Sequence, residues 1–143
     1  MKTHLVEWKH LDRNGRTCDR CHDTGANLRA VVRKLNTSLR PRGVRFRLKE
    51  ILLNPDRLAE SNSIIIDGRP LEEVLPATHV TNTECGSCGD LLGQATDCRA
   101  VTKDGRIHET IPPDMIHDAL RKVAGADRQD GNGSKRRKGG VSQ

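Results

Sequence analysis

The chain has 143 residues, of which 34% are hydrophobic, and it contains one Trp, one Phe and no Tyr. This length suits a single domain with a modest core of Val, Ile and Leu. No run approaches the roughly 18 apolar residues of a membrane-spanning helix, and the opening MKTHLVEWKH lacks the apolar stretch of a secretory signal. We therefore expect a cytoplasmic protein without a membrane partner.

The net charge of +6 raises the question of nucleic-acid binding. Four positive charges lie together in KRRK at residues 135–138, which leaves +2 for the rest of the chain. The surrounding segment 126–143 has no apolar periodicity, so we expect a disordered basic tail after a domain of residues 1–125. A solvated tail explains this charge more simply than a nucleic-acid partner does, and a nucleic-acid-binding module is the least favoured function.

The first elements along the chain are a strand and a helix that flank a cysteine pair. Residues 5–11, LVEWKHL, alternate as a strand does. The sequence Cys18-Asp-Arg-Cys21 follows after a turn, and Pro41 ends the next helix. The apolar residues of this helix recur on one helical face, and they are Leu28, Val31, Val32, Leu35 and Leu39.

A second strand is predicted at residues 44–49. A third is predicted at residues 64–66, which are apolar on both faces as a central strand is. A short helix from Asn54 to about residue 60 lies between them. Pro70 indicates an edge strand. The order so far is βαβαββ.

The second half of the chain holds the other three cysteines. We expect a loop over residues 76–98 that carries Cys85 and Cys88. A hairpin should then turn at Asp104-Gly105, which favours a type I′ turn, and place Cys98 opposite Ile111. A final amphipathic helix begins near Pro113 and ends before Gly125.

Cysteine pairs are the main candidates for chemistry. The C-x-x-C pair Cys18 and Cys21 lies between a strand and an amphipathic helix, which is typical of thioredoxin-like redox proteins. A thiol at a helix N-terminus is more acidic than a free thiol. We therefore expect Cys18 to be an exposed, acidic nucleophile and Cys21 to be a shielded resolving thiol.

Cys85 and Cys88, in the sequence CGSCG, leave three interpretations open. They form a zinc knuckle with Cys98 as third ligand and His79 or His108 as fourth, or a second redox pair that exchanges electrons with Cys18 and Cys21, or an unligated loop. A zinc site made of both C-x-x-C pairs is less favoured, because residues 22–84 separate them, far more than the usual spacing. Three further histidines, His4, His10 and His117, are predicted to be solvated surface residues.

Four sequence motifs carry a resemblance to a known family: TCDRC, RGVRFRLKE, SNSIIIDGRPLEEVL and DGRIHETIPPDMIHDAL. Over residues 8–123 the chain resembles a family of uncharacterised prokaryotic thioredoxin-like proteins of unknown function. The resemblance implies a thioredoxin-like α/β fold, with a mixed sheet flanked by helices and a C-terminal hairpin and helix. It also implies a redox or metal-handling role for Cys18 and Cys21.

One departure concerns Ser61-Asn62-Ser63, which stands where thioredoxins usually have a cis-proline facing the cysteine pair. Because a cis bond before a residue other than proline costs about 2.5–4 kcal/mol, we expect a trans bond here. The absence of this proline favours metal capture by the thiols over general disulfide reduction.

The sequence thus predicts a thiol–disulfide oxidoreductase or thiol-dependent reductase, which uses Cys18 and Cys21 on a redox partner protein or a thiol substrate. The alternative is a protein that binds zinc, copper(I) or mercury(II) through cysteine thiolates.

Overall fold

The computed structural model of the protein describes residues 2–125, which form a mixed α/β fold of seven strands, four α-helices and two short 3-10 helices, Arg40–Arg42 and Pro55–Glu60. The second 3-10 helix lies where the sequence predicted a short helix. The segment predicted to be a disordered tail, 126–143, lies outside these residues. The strands are β1 (Lys2–Leu11), β2 (Val44–Leu53), β3 (Ser63–Ile66), β4 (Arg69–Pro70), β5 (Thr78–Glu84), β6 (Asp97–Lys103) and β7 (Arg106–His108). The helices are α1 (Asp19–Ser38), α2 (Leu71–Val74), α3 (Gly86–Leu92) and α4 (Pro113–Ala124). No helix within residues 2–125 combines the length and the apolar character needed to cross a bilayer.

The first four strands form one sheet in the order β2-β1-β3-β4. β1 and β2 are parallel and are joined through α1, whereas β3 runs antiparallel to both of its neighbours. The predicted edge strand at Pro70 is β4, and it follows a tight turn in which Asp67 and Gly68 both have positive φ, 51° and 82°. α1 packs against β2 and α4 and buries the predicted apolar stripe, so the sequence pattern located this part of the core correctly.

The last three strands form a second, antiparallel sheet in the order β5-β6-β7. Segment 76–98, which the sequence suggested to be a loop, instead contains β5 and α3. The turn at Asp104-Gly105 is present, and both residues have positive φ as a type I′ turn requires. The β6–β7 pairing follows the expected register but ends at Val101 and His108, before it reaches Cys98.

Hydrogen bonds from α1 hold the segment after β7 against the first sheet. Thr24 accepts a hydrogen bond from the backbone N–H of Ile111 at 3.1 Å, and the Asn27 side-chain amide donates to the Ile111 carbonyl at 3.0 Å. Asn62 donates to the carbonyl of Glu109 at 2.9 Å. No peptide bond in residues 2–125 is cis, as expected for Ser61-Asn62-Ser63. The second sheet is therefore fixed beside the N-terminal end of α1.

Two of the histidines predicted to be solvated are buried. Nδ1 of His4 lies 2.6 Å from the Asp67 carboxylate, and Nε2 of His10 lies 2.5 Å from that of Glu50. The alternation of β1 explains this burial, because the even-numbered residues of the strand face α1. One ring nitrogen of each histidine is thus paired with a carboxylate that is distant in sequence, whereas the buried Nε2 of His4 has no hydrogen-bond partner within residues 2–125.

Trp8 fills the space between β1 and α1. Its indole ring stacks on His10 with ring centroids 4.0 Å apart, and the Arg29 guanidinium lies 5.1 Å from the indole centroid. On the helix side, a Cβ atom added to Gly25 would overlap Cη2, Cζ2 and Cζ3 of this ring. Gly25 is therefore required for the close approach of α1 to the sheet.

We expect Gly25→Ala to destabilise the protein by about 1–3 kcal/mol, the cost typical of overpacking, although Gly→Ala inside a helix ordinarily stabilises. Chemical denaturation measures this change. When Gly25→Ala is made in a Trp8→Leu background, it should lower the free energy of unfolding much less than it does in the wild-type protein. An equal cost in both backgrounds would contradict the contact with Trp8.

Candidate metal centre

All five cysteines are buried and none forms a disulfide. Four of their sulfur atoms converge, so that every pair lies within 4.8 Å, and these belong to Cys18, Cys85, Cys88 and Cys98. Each of these residues is at most 4% exposed. The cluster therefore joins one sulfur from the first C-x-x-C pair, both from the second, and the lone cysteine of β6.

The secondary structure explains this convergence. Cys18 is the N-cap of α1 and has an extended conformation. Cys85 is the N-cap of α3, and Cys88 lies in the first turn of that helix. Cys98 lies on β6, opposite Thr83 of β5. The two cysteines at the start of α3 therefore lie close to Cys98 of β6 and to Cys18 at the start of α1.

Local contacts fix α3 in this position. The backbone N–H of Cys85 donates to the carbonyl of Thr96 at 2.8 Å, and the Ser87 hydroxyl accepts a hydrogen bond from the Asp19 N–H at 2.9 Å. A Cβ atom at Gly89 would lie 3.0 Å from the Gln94 carbonyl oxygen, so the CGSCG sequence needs a small residue after Cys88. Ser87 thereby links the start of α1 to α3 directly beside two of the cysteines.

Arg20 is the residue that ties α1 to the second sheet. Its guanidinium donates to the carbonyls of Cys98, Arg99 and Glu84 at 3.2, 3.2 and 3.0 Å, and it lies 3.3 Å from the Glu109 carboxylate. The side chain is only 5% exposed. Arg20 thus holds the backbone that carries one cysteine of the cluster and supplies a positive charge next to it.

The sulfur atoms influence one another's ionisation. Hydrogen bonds from Cys21, and then from Cys88 and Cys98, hold the pKa of the Cys18 thiol far below its usual range. The hydrogen bond with Cys18 raises the pKa of Cys21 and of Cys88, and burial adds to it. The pKa of Cys98 is raised to about 12, also chiefly by Cys18. These shifts favour a thiolate at Cys18 and neutral thiols at Cys21, Cys88 and Cys98.

The sequence-predicted site residues are only partly brought together. Cys85, Cys88 and Cys98 meet, as the zinc-knuckle interpretation requires, but the fourth sulfur comes from Cys18. His79 is exposed on β5 and pairs with Thr102, and neither it nor His108 of β7 belongs to the cluster. From the sequence, Cys18 is a candidate ligand only together with Cys21, in a site made of both C-x-x-C pairs, and the spacing disfavours that site. The contact of Cys18 with the other cysteines depends on how α1 meets the second sheet.

Cys18 also differs from the expected exposed nucleophile, since it is 1% exposed. Its position at the start of α1 was anticipated, but its sulfur is buried among the other cysteines. Cys21 is fully buried in the first turn of α1, and its thiol and that of Cys18 shift each other's pKa in opposite directions, although Cys21 is not one of the four converging sulfurs. The site thus consists of four sulfurs and an adjacent fifth.

The donor set fits a soft metal ion with tetrahedral coordination. Zn–S bonds of about 2.3 Å place the sulfurs of a tetrahedral site about 3.8 Å apart. Sulfurs already within 4.8 Å would need to move together by about 1 Å at most. Four sulfur ligands in a tetrahedron are typical of zinc or iron–sulfur centres.

Comparisons with known proteins identify the family to which this chain is similar, and none of them names an activity. Residues 5–120 match the model of a domain of unknown function, DUF2703. An uncharacterized protein of Archaeoglobus fulgidus is 32% identical over 115 residues, which cover 78% of this chain and 80% of that protein. No solved structure matches the chain.

Proposed function

We propose that this chain, which belongs to the DUF2703 family, is a metal-binding protein that holds one zinc ion through Cys18, Cys85, Cys88 and Cys98. The observation that carries the proposal is the convergence of four buried sulfur atoms from three separate elements. Thiolates are the preferred ligands of zinc at closed tetrahedral sites, where they leave no position open to substrate. The site is therefore structural or a storage site, and it is not a zinc catalyst.

Burial argues against general disulfide reduction as the main activity. A protein disulfide must reach the attacking sulfur, and Cys18 is 1% exposed. Free buried thiols are also typical of a reducing compartment, so we place the protein in the cytoplasm.

We also propose that the fold is thioredoxin-like. The support is the strand order β2-β1-β3-β4, with a parallel β1–β2 pair joined by α1 and a C-x-x-C pair at the start of that helix. In this interpretation, β5, α3, β6 and β7 are an insertion before α4. The insertion brings three cysteines to the place where a thioredoxin-like protein keeps its reactive pair.

Metal content tests the ligand set. Wild type purified under reducing conditions without chelator should contain one zinc per chain by elemental mass spectrometry. Cys18→Ser and Cys85→Ser should both lose it, because each removes one of four ligands. Cys21→Ser and His79→Ala should retain it, since neither residue belongs to the four.

Zinc that survives Cys18→Ser but is lost in His79→Ala would contradict this ligand set. It would support instead the three-cysteine, one-histidine site suggested by the sequence. Wild-type protein that takes up no zinc when zinc is added to the reduced chain would refute the metal-binding function itself.

A further inference from the structure

The fifth cysteine has no place in a four-sulfur site, yet it lies against one of the ligands. Cys21 is fully buried, and the Cys18 and Cys21 thiols shift each other's pKa in opposite directions. The two residues occupy the N-cap and the first turn of α1, the arrangement in which C-x-x-C pairs form reversible disulfides. A disulfide between them would leave the metal with only three ligands.

We propose that Cys18 and Cys21 form a redox-sensitive pair whose oxidation by peroxide releases the bound zinc. This inference rests on the proposed zinc site and adds its regulation. Since Cys18 is the sulfur shared by the cluster and the C-x-x-C pair, one bond change couples the redox state of the protein to its metal content.

The chemistry balances with hydrogen peroxide as the oxidant. The Cys18 sulfur attacks one peroxide oxygen, the O–O bond breaks, and the products are a sulfenic acid and hydroxide, which takes a proton from solvent to become water. The Cys21 sulfur then attacks the Cys18 sulfur. The S–S bond forms, and the sulfenic hydroxyl leaves with the Cys21 proton as a second water. Two electrons pass from the two sulfurs to the peroxide.

A cleft that a small oxidant could enter lies beside the cluster, although no cysteine of residues 2–125 lines it. An open cleft of about 440 Å³ is lined by residues that flank the cysteines in sequence, among them Thr17, Asp19 and Ser87. Thr17 and Asp19 are the two neighbours of Cys18, and the Ser87 hydroxyl lies 3.8 Å from the sulfur of Cys85. The cleft is large enough for peroxide, whereas a folded protein partner would not reach the buried sulfurs.

The experiment uses reduced, zinc-loaded protein treated with hydrogen peroxide. Zinc release is followed with a chromogenic chelator, and disulfides are mapped by alkylation and mass spectrometry. In wild type, release should coincide with a Cys18–Cys21 disulfide, and a thiol reductant should restore zinc binding. Cys21→Ala should bind zinc as wild type does but release it about tenfold more slowly, because no resolving thiol is present.

Cys21→Ser is the second variant, in case alanine leaves a damaging cavity. Equal release rates in wild type and the two variants would overturn the coupling, as would a disulfide mapped to Cys85 and Cys88 alone. Both of these results are obtained with zinc-loaded protein, so they would contradict the redox coupling without contradicting the zinc site. If the reduced wild-type protein bound no zinc, that result would instead refute the zinc site on which this inference rests.

Discussion

Replacing Cys88 by serine should abolish zinc binding and lower the melting temperature by about 10 °C or more. Cys88 is fully buried in the first turn of α3, and binding to a structural zinc site contributes directly to folding free energy. A loss of about 4 kcal/mol corresponds to a shift of this size in a domain of this length. Calorimetry on zinc-loaded samples measures it.

The matched control is Cys21→Ser, since Cys21 is equally buried and undergoes the same chemical change. It removes no metal ligand, so its melting temperature should stay much closer to that of wild type. Treatment of wild type with a chelator should reproduce the Cys88→Ser value. Equal shifts in the two variants, or no effect of the chelator, would contradict a stabilising role for the metal.

Arg20→Met should destabilise the protein by about 1–3 kcal/mol, the cost typical of leaving a buried polar group without its hydrogen bond. The substitution removes the hydrogen-bond donor of three carbonyls, of which that of Cys98 is buried and those of Glu84 and Arg99 are partly buried. It should also weaken zinc binding by about 10–100-fold, as the loss of groups that support metal ligands does. Chemical denaturation and competition with a zinc chelator of known affinity measure the two effects separately.

Arg29→Met is the control on the same helix, because Arg29 is exposed and contacts only the face of Trp8 in the described structure. Arg29→Met should lower the free energy of unfolding by about 1 kcal/mol or less and leave the zinc affinity unchanged. Arg20→Lys should restore little, because an ammonium group cannot reach several carbonyls in the planar geometry of a guanidinium. Unchanged zinc affinity in Arg20→Met would limit this residue to a purely structural role.

The first sheet and the two long helices could be predicted because their apolar residues repeat with a clear period. The stripe of α1 from Leu28 to Leu39 and the alternation around Trp8 both place the correct side chains in the core. Turn residues with positive φ, such as Asp67 and Asp104, also mark their turns in the sequence.

β5 and α3 could not be predicted in the same way. The sequence of β5, THVTNTE, buries only Thr78 fully, so its strand pattern has no apolar side. α3 is short and begins with Gly86, which disfavours helix on propensity alone. These elements exist because they pair with β6 and pack on the start of α1, and such tertiary contacts leave no local pattern.

The four-cysteine cluster was only half predictable for the same reason. The spacing of Cys85 and Cys88 indicates a pair of ligands, and Cys98 follows closely. Cys18 joins them only because Arg20 and Ser87 attach α1 to the second sheet. The buried histidines show the same limit, since Asp67 lies 63 residues from His4.

The packing of Trp8 decides what an optical experiment can detect. The chain has no other tryptophan and no tyrosine, so its near-ultraviolet fluorescence comes from an indole held between β1 and α1. If loss of zinc opened only β5, β6 and β7, the emission would hardly change, while backbone amides in those strands would exchange their hydrogens faster. Fluorescence would then report the melting of the first sheet alone, and the difference between the two signals would separate local opening at the cysteines from unfolding of the whole domain.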